Sequence, residues 1–175
     1  TKPAFKVATT KIKTVAKTVA PPRYRQPTLS EIQNNRLQAL QWGEKTRNTI
    51  APAVHLVETR NFLIFSAWDA THDKALGNVC EEMNAKLRQQ FNLQPNETAW
   101  AGKCPVYVFW RTADFRRFGT EVDQSPAIQS KIARNDGYHA TRGRFSYIAI
   151  SGIQDFGSPS TSATTRFYEV LVHEG

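Results

Sequence analysis

The sequence lacks long apolar runs, is poor in cysteine and contains no Gly-rich phosphate loop. A membrane-spanning helix needs about 18 to 20 consecutive apolar residues, and no such run occurs in the 175 residues. The two cysteines, Cys80 and Cys104, are too few for a disulfide scaffold and lack a metal-binding spacing. They are therefore either one disulfide or two buried free thiols. Because no Gly-rich loop follows a predicted strand, the sequence gives no support for a nucleotide site.

Acidic residues are absent from residues 1–25, which carry seven of the 23 basic side chains. The remaining 16 basic and 15 acidic residues nearly balance, so the net charge of +8 is concentrated in this basic lead. Residues 1–27 show no sustained helical or strand period and end in prolines, which predicts a flexible linker. The alternative is an arm that contacts an anionic surface, although no motif indicates a specific nucleic-acid site.

Residues 28–175 are expected to form one domain, because 40% apolar and 22% charged residues are typical of a globular protein. Thr28 with Glu31 predicts a capping box at the start of the first helix, which Gly43 is expected to end or weaken. The apolar side predicted for this helix consists of Leu29, Ile32, Leu37 and Leu40. The clearest helical period covers residues 72–91, where the apolar stripe consists of Leu76, Val79, Cys80, Met83 and Leu87.

The strand pattern is strongest in four segments, whereas residues 120–143 are expected to be mainly loop with a helical turn near residues 128–132. The predicted strands are residues 53–58, 61–67, 105–110 and 144–151. A short helix is predicted at 113–118, capped by Thr112 and closed by Gly119, and a last helix from residue 160 to the end. This order predicts an α+β (or α/β) fold with one mixed sheet and helices packed on it.

The sequence ends on "EVLVHEG", in which His173 and Glu174 form the first half of a His-Glu-x-x-His motif. On a helix, two histidines four residues apart can hold one Zn²⁺, and the glutamate can take a proton from the zinc-bound water. His173 is therefore a candidate metal ligand and Glu174 a candidate catalytic base. A solvated His-Glu pair without function is the alternative. The length of the segment favours a helix, although its periodicity also allows a strand.

Five segments follow one another along the chain: "VETRNFLIFSA", "CEEMNAKLRQQF", "KCPVYVFWRTADFRRFG", "GRFSYIAISG" and "RFYEVLVHEG". In this order they resemble bacterial peptidase-MA-like proteins. This family consists of gluzincin-type zinc metallopeptidases, and the resemblance covers roughly residues 54–175. It implies a zincin-like upper subdomain that ends in the active-site helix, with His173 as the first zinc ligand and Glu174 as the general base. It also implies a peptide or protein substrate, whose carbonyl the zinc-bound water attacks, and an extracytoplasmic or secreted location.

The 175 residues lack the second histidine and the downstream glutamate that the family uses as zinc ligands. Catalytic zinc needs three protein ligands, so this chain alone is expected to be inactive even if its parent protein is a peptidase. In zincins a sheet edge beside the active-site helix pairs with extended substrate. Strand 144–151 is the candidate for that edge, and an interior strand is the alternative.

A non-catalytic α/β binding or interaction module with a basic tail is the second functional hypothesis. His55, His72 and His139 are scattered and do not predict a second metal site. No serine or cysteine has an evident histidine partner, so a covalent nucleophile is unsupported. The four tryptophans are expected to pack in the core and at strand ends.

Overall fold

The computed structural model describes residues 25–94, 97–125 and 137–151, which form a mixed five-stranded sheet with helices on both faces. The predicted α+β fold is confirmed. The strands are β1 (His55–Glu58), β2 (Phe62–Ser66), β3 (Cys104–Val108), β4 (Gly137–Arg142) and β5 (Phe145–Ile150). The helices are α1 (Leu29–Thr49), α2 (Asp73–Gln90) and α3 (Thr112–Arg117), with a 3₁₀ turn at Ala70–His72 and π-helical turns at Phe118–Asp123.

The strand order is β1-β2-β3-β5-β4, with β2, β3 and β5 parallel and both edge strands antiparallel to their neighbours. Every residue of β2 and β3 is buried, because α2 covers one face and α1 with α3 covers the other. We call these the α2 face and the α1 face. Continuous apolar strands such as "FLIF" are typical of a sheet that is covered on both sides.

Helix α1 begins with the predicted capping box. Thr28 Oγ1 accepts from the Glu31 amide at 3.2 Å, and Glu31 Oε2 accepts from the Thr28 amide at 2.7 Å. The predicted apolar side is wrong at Leu29, which is 79% exposed, and at Leu37, which is 56% exposed, whereas Leu40 packs against the core cluster on the α1 face. The buried positions of α1 are the small residues Ala39, Gly43 and Thr46.

Gly43 does not end α1, which was one of the two outcomes expected from the sequence, because the helix continues to Thr49. A Cβ at this position would lie 2.0 Å from Cε1 of Phe65, which is 5% exposed and stacks on Tyr107 at 5.0 Å between ring centroids. The glycine therefore allows α1 to approach β2 closely.

Helix α2 matches its predicted stripe, with Leu76, Cys80, Met83 and Leu87 buried and Val79 partly buried. Both cysteines are free thiols in the cluster on the α2 face. Burial raises the pKa of the Cys80 thiol to about 12 and raises that of Cys104 well above its ordinary value. Of the two alternatives, the structure therefore has buried free thiols and no disulfide.

The segment after β3 differs most from the sequence prediction. Arg111 is the N-cap residue of α3, Thr112 is its first residue, and Gly119 does not close it. The chain continues in π-helical turns until Gln124, whose φ of +57° ends them. Residues 137–142, predicted to be loop, form β4. The predicted turn near 128–132 and the last helix lie outside the described residues.

Within the described part of the chain, no helix is both long and apolar enough to cross a membrane.

Candidate functional site: the edge strand β4 and its pocket

The two predicted site residues, His173 and Glu174, lie outside the described residues, as does the lead up to residue 24. The described residues were therefore searched for side chains that could hold a zinc ion. Across residues 25–94, 97–125 and 137–151, no group of three or more His, Cys, Asp and Glu side chains is arranged to hold a metal ion. His55 instead pairs with Asp73, with 2.9 Å between Nε2 and Oδ1. The described residues therefore do not make a zinc site, and we derive no zinc-dependent step from them.

Strand β5, the candidate for the substrate-binding edge, is an interior strand between β3 and β4. The alternative interpretation of this segment is therefore the correct one. The edge on this side of the sheet is β4, which pairs with β5 alone within the described residues. Only its first two residues are buried, and Thr141 and Arg142 at its end are exposed.

The hairpin between β4 and β5 determines which backbone groups of β4 face outward. Its connection has two residues, Gly143 (φ +61°) and Arg144, so the flanking pair Arg142–Phe145 is a hydrogen-bonded pair. Such pairs alternate with pairs whose N–H and C=O groups point away from the partner strand. His139 and Thr141 occupy the second kind of position and therefore direct their backbone groups away from β5.

An independent hydrogen bond agrees with this assignment. The carbonyl oxygen of Ile150 accepts from the Phe109 amide at 3.1 Å, so the backbone groups of Ile150 point toward β3. Those of the preceding residue, Ala149, then point toward β4, where its partner is Tyr138. The backbone of Tyr138 therefore faces β5, and that of His139 faces outward.

A mainly apolar pocket of about 380 Å³, the edge pocket, adjoins β4 on the α2 face. His139 and Ser146 lie on this face because β-strand side chains alternate and Ile148, the partner of His139, belongs to the α2-face cluster. The pocket lining includes Leu87, Phe91, Leu93, Trp100, His139 and Ser146. Phe91 is 63% exposed, although it is a large apolar side chain. The pocket can hold an apolar side chain beside the outward-facing backbone of β4.

On the opposite face, a buried carboxylate holds β4 in place. Asp123 is 1% exposed, and its Oδ2 accepts from the hydroxyls of Tyr138 on β4 at 2.8 Å and Tyr147 on β5 at 2.6 Å. Arg142, at the end of β4, forms an ion pair with Oδ1 of the same carboxylate. The guanidinium also lies over the ring of Trp42, 5.2 Å from its centroid.

Both tyrosines remain hydrogen-bond donors at neutral pH. Burial and then the neighbouring Asp123 charge raise the pKa of Tyr138 well above its ordinary value. Burial and the hydrogen bond to Asp123 do the same for the pKa of Tyr147. The edge strand is thus anchored through its α1 face, and the edge pocket lies on its other face.

The sequence prediction missed both β4 and its anchor. The partners of Asp123 lie 15, 19 and 24 residues along the chain, a spacing that no local pattern reveals. Residues 137–142 alternate between the two faces of the sheet, and this alternation is the local pattern that could have predicted a strand. The pattern is weak because the residues of β4 on the α2 face are polar or glycine.

Comparison of the chain with protein-family models gives no match, and comparisons with curated proteins and with solved structures give none either.

Proposed function

We propose that the chain supplies the peptide-binding sheet of a zinc-dependent metallopeptidase or related hydrolase, with His173 as a metal ligand and Glu174 as the general base. The observation that carries the proposal is the strand β4, which pairs with β5 alone among the described residues and directs the backbone groups of Thr141 away from it, with an apolar pocket alongside. The segment that contains His173 and Glu174 follows β5, the neighbour of this edge, in the sequence.

An exposed strand edge is suited to an extended peptide because each added backbone can complete the missing ladder hydrogen bonds. Side chains of such a peptide alternate between the two faces of the sheet. Those on the α2 face meet the edge pocket, which selects apolar groups. The described residues thereby bind and orient a substrate backbone, and the acid–base chemistry is assigned to Glu174.

Peptide binding at the edge is tested with Thr141→Pro. Proline removes the outward N–H of Thr141 without removing a hydrogen bond to β5 and is tolerated on edge strands. The matched control is Thr141→Ala, which removes the side chain and its 3.1 Å contact with the Ser146 hydroxyl but keeps the N–H. In titrations with fluorescent peptides of alternating apolar and polar residues, we expect Thr141→Pro to weaken binding about tenfold and Thr141→Ala to bind nearly as tightly as the wild type. Equal binding by all three proteins would exclude the edge.

Hydrolysis is tested on the full-length gene product with a fluorogenic casein. Glu174→Gln is expected to reduce hydrolysis by about 10²–10⁴-fold, the usual contribution of a general base, while bound zinc is retained. Glu169→Gln, the same change five residues earlier, is the matched control and should keep both. His173→Gln should lose zinc. A wild-type protein that hydrolyses casein equally well after zinc removal would rule out the proposed chemistry.

A further inference from the structure

A second pocket, of about 500 Å³ and more polar, opens between the β1–β2 turn and α2. Its lining includes Arg60, Asn61, Glu81, Asn84, Arg88 and Leu93. We propose that this polar pocket binds a small organic anion through a carboxylate or phosphate group. The proposal is independent of the peptidase function, because it uses neither the β4 edge nor residues 173 and 174.

The helical part of the pocket is one face of α2. Four residues of α2 form one stripe along the helix, because three of them follow Glu81 by three, four and seven residues. These are Asn84, Ala85 and Arg88. The opposite wall is the turn that contains Arg60 and Asn61. Two hydrogen bonds from Asn61 to Glu81 join this turn to α2.

Asn84 is the most informative of these residues. It is only 7% exposed, and its side-chain amide makes no hydrogen bond to any residue that the structure describes. Because Asn84 lines the pocket, a ligand that occupies the pocket can hydrogen-bond to its side-chain amide.

The charges of the pocket favour an anion. Glu81 already accepts from Thr59 Oγ1 at 2.7 Å, from the Asn61 amide at 2.8 Å and from Asn61 Nδ2 at 2.6 Å. Burial raises the pKa of Glu81, but these hydrogen bonds together lower it by more, so the net shift is downward. The carboxylate is therefore ionised, and it is already hydrogen-bonded to Thr59 and Asn61. Against this one negative charge stand the guanidinium groups of Arg60 and Arg88, which gives a net charge of +1.

The guanidinium of Arg88 is held in position but not neutralised. It donates to two backbone carbonyls, those of Glu97 at 2.5 Å and Gln94 at 2.7 Å. A guanidinium has five N–H donors, so three remain. Within the described residues neither Arg60 nor Arg88 forms an ion pair with a carboxylate. A planar fork of donors with unused N–H groups fits a carboxylate or a phosphate.

The volume sets the size of the ligand. Pockets for small molecules usually measure about 300–1,000 Å³, so this pocket is larger than one inorganic ion requires. Leu93 lines one side of it and offers an apolar contact. The expected ligand is a small molecule that carries one anionic group for Arg60 and Arg88 and one hydrogen-bonding group for Asn84.

The test is an NMR titration of the ¹⁵N-labelled protein, with inorganic phosphate in one arm and succinate in the other, at ionic strength held constant with chloride. We expect a saturable shift of the Asn84 side-chain amide signals in at least one arm, and the responding arm identifies the anionic group. Arg60→Gln should weaken binding about tenfold or more, because it removes a charged hydrogen bond.

Asn84→Leu is the second variant, since it keeps the side-chain volume, removes the amide and leaves no buried partner unsatisfied. It should weaken binding without loss of thermal stability. Arg47→Gln, which removes an exposed guanidinium of α1 outside this pocket, is the control and should bind as the wild type does. The proposal is overturned if both anions give only the linear shifts that chloride gives, or if Arg60→Gln and Asn84→Leu bind like the wild type.

Discussion

The anchor of the edge strand predicts that Asp123→Asn destabilises the protein and loosens β4. The substitution keeps the shape of the side chain but removes the charge that Tyr138 and Tyr147 donate to. A hydrogen bond to a charged group contributes about 1.5–3 kcal/mol and a neutral one about 0.5–1.5 kcal/mol, so two bonds together lose about 2–3 kcal/mol. The lost pair with Arg142 adds less than about 1 kcal/mol, because that side chain is 40% exposed to solvent.

One effect acts in the opposite direction, since a buried amide costs less to desolvate than a buried carboxylate. The expected net loss is therefore about 2 kcal/mol, which lowers the midpoint of urea unfolding by roughly 1–2 M. Tryptophan fluorescence measures the midpoint, and hydrogen exchange should show faster exchange of the Tyr138 and Ala140 amides, which pair with β5.

The matched control is Glu121→Gln, the same change from acid to amide in the same π-helical segment. Glu121 pairs with Arg117 at the surface, where the two side chains are 42% and 45% exposed, so little change is expected. If Asp123→Asn unfolds at the same urea concentration as Glu121→Gln and keeps its β4 protection, Asp123 does not anchor the edge.

Three further predictions concern the rest of the fold. Gly43→Ala should lower the melting temperature, because overpacking costs up to about 3 kcal/mol and helix propensity returns only about 1 kcal/mol. Gly77→Ala, whose Cβ would lie 3.1 Å from Cγ2 of Thr59, should lower the melting temperature less than Gly43→Ala does, and a larger loss in Gly77→Ala would contradict the packing. The hydrogen bonds from Arg36 and Lys103 lower the pKa of Glu58 from 4.5 to about 2. The stability that the ionised Glu58 contributes is therefore complete above about pH 4.5 and is lost as the pH falls toward 2. In Glu58→Gln the melting temperature should depend less on pH over this range than in the wild type. Equal pH dependence in the two proteins would refute the assignment. Both thiols should resist an aromatic disulfide reagent in native buffer and react fully in urea; rapid native reaction would contradict their burial.

The parts of the fold that the sequence predicted are those whose burial is visible locally. Phe62–Phe65 is apolar at every position because both faces of β2 are covered. The stripe of α2 has a helical period because a single face of that helix meets the sheet. In both elements the pattern in the sequence corresponds directly to the surface that is buried.

The parts that it missed depend on close approach or on distant partners. Helix α1 has a glycine at position 43 because a Cβ there would meet the ring of Phe65, and its other buried positions, Ala39 and Thr46, are small as well. A prediction from hydrophobicity therefore missed these positions and included Leu29 and Leu37, which are exposed. Strand β4 has one large buried side chain, Tyr138, and its pairing depends on β5 and Asp123, which are far away in the sequence.

The two sheet edges differ in a way that favours β4 as the peptide-binding edge. An exposed edge must be blocked or used, because its free backbone groups otherwise pair with other chains. Strand β1 has only four residues, and its last residue, Glu58, forms an ion pair with Arg36 of α1. Strand β4 has six residues, and its one arginine, Arg142, is turned to the buried Asp123. Strand β4 therefore offers the longer edge for an extended peptide, and the buried Asp123 holds its arginine on the α1 face, opposite the edge pocket.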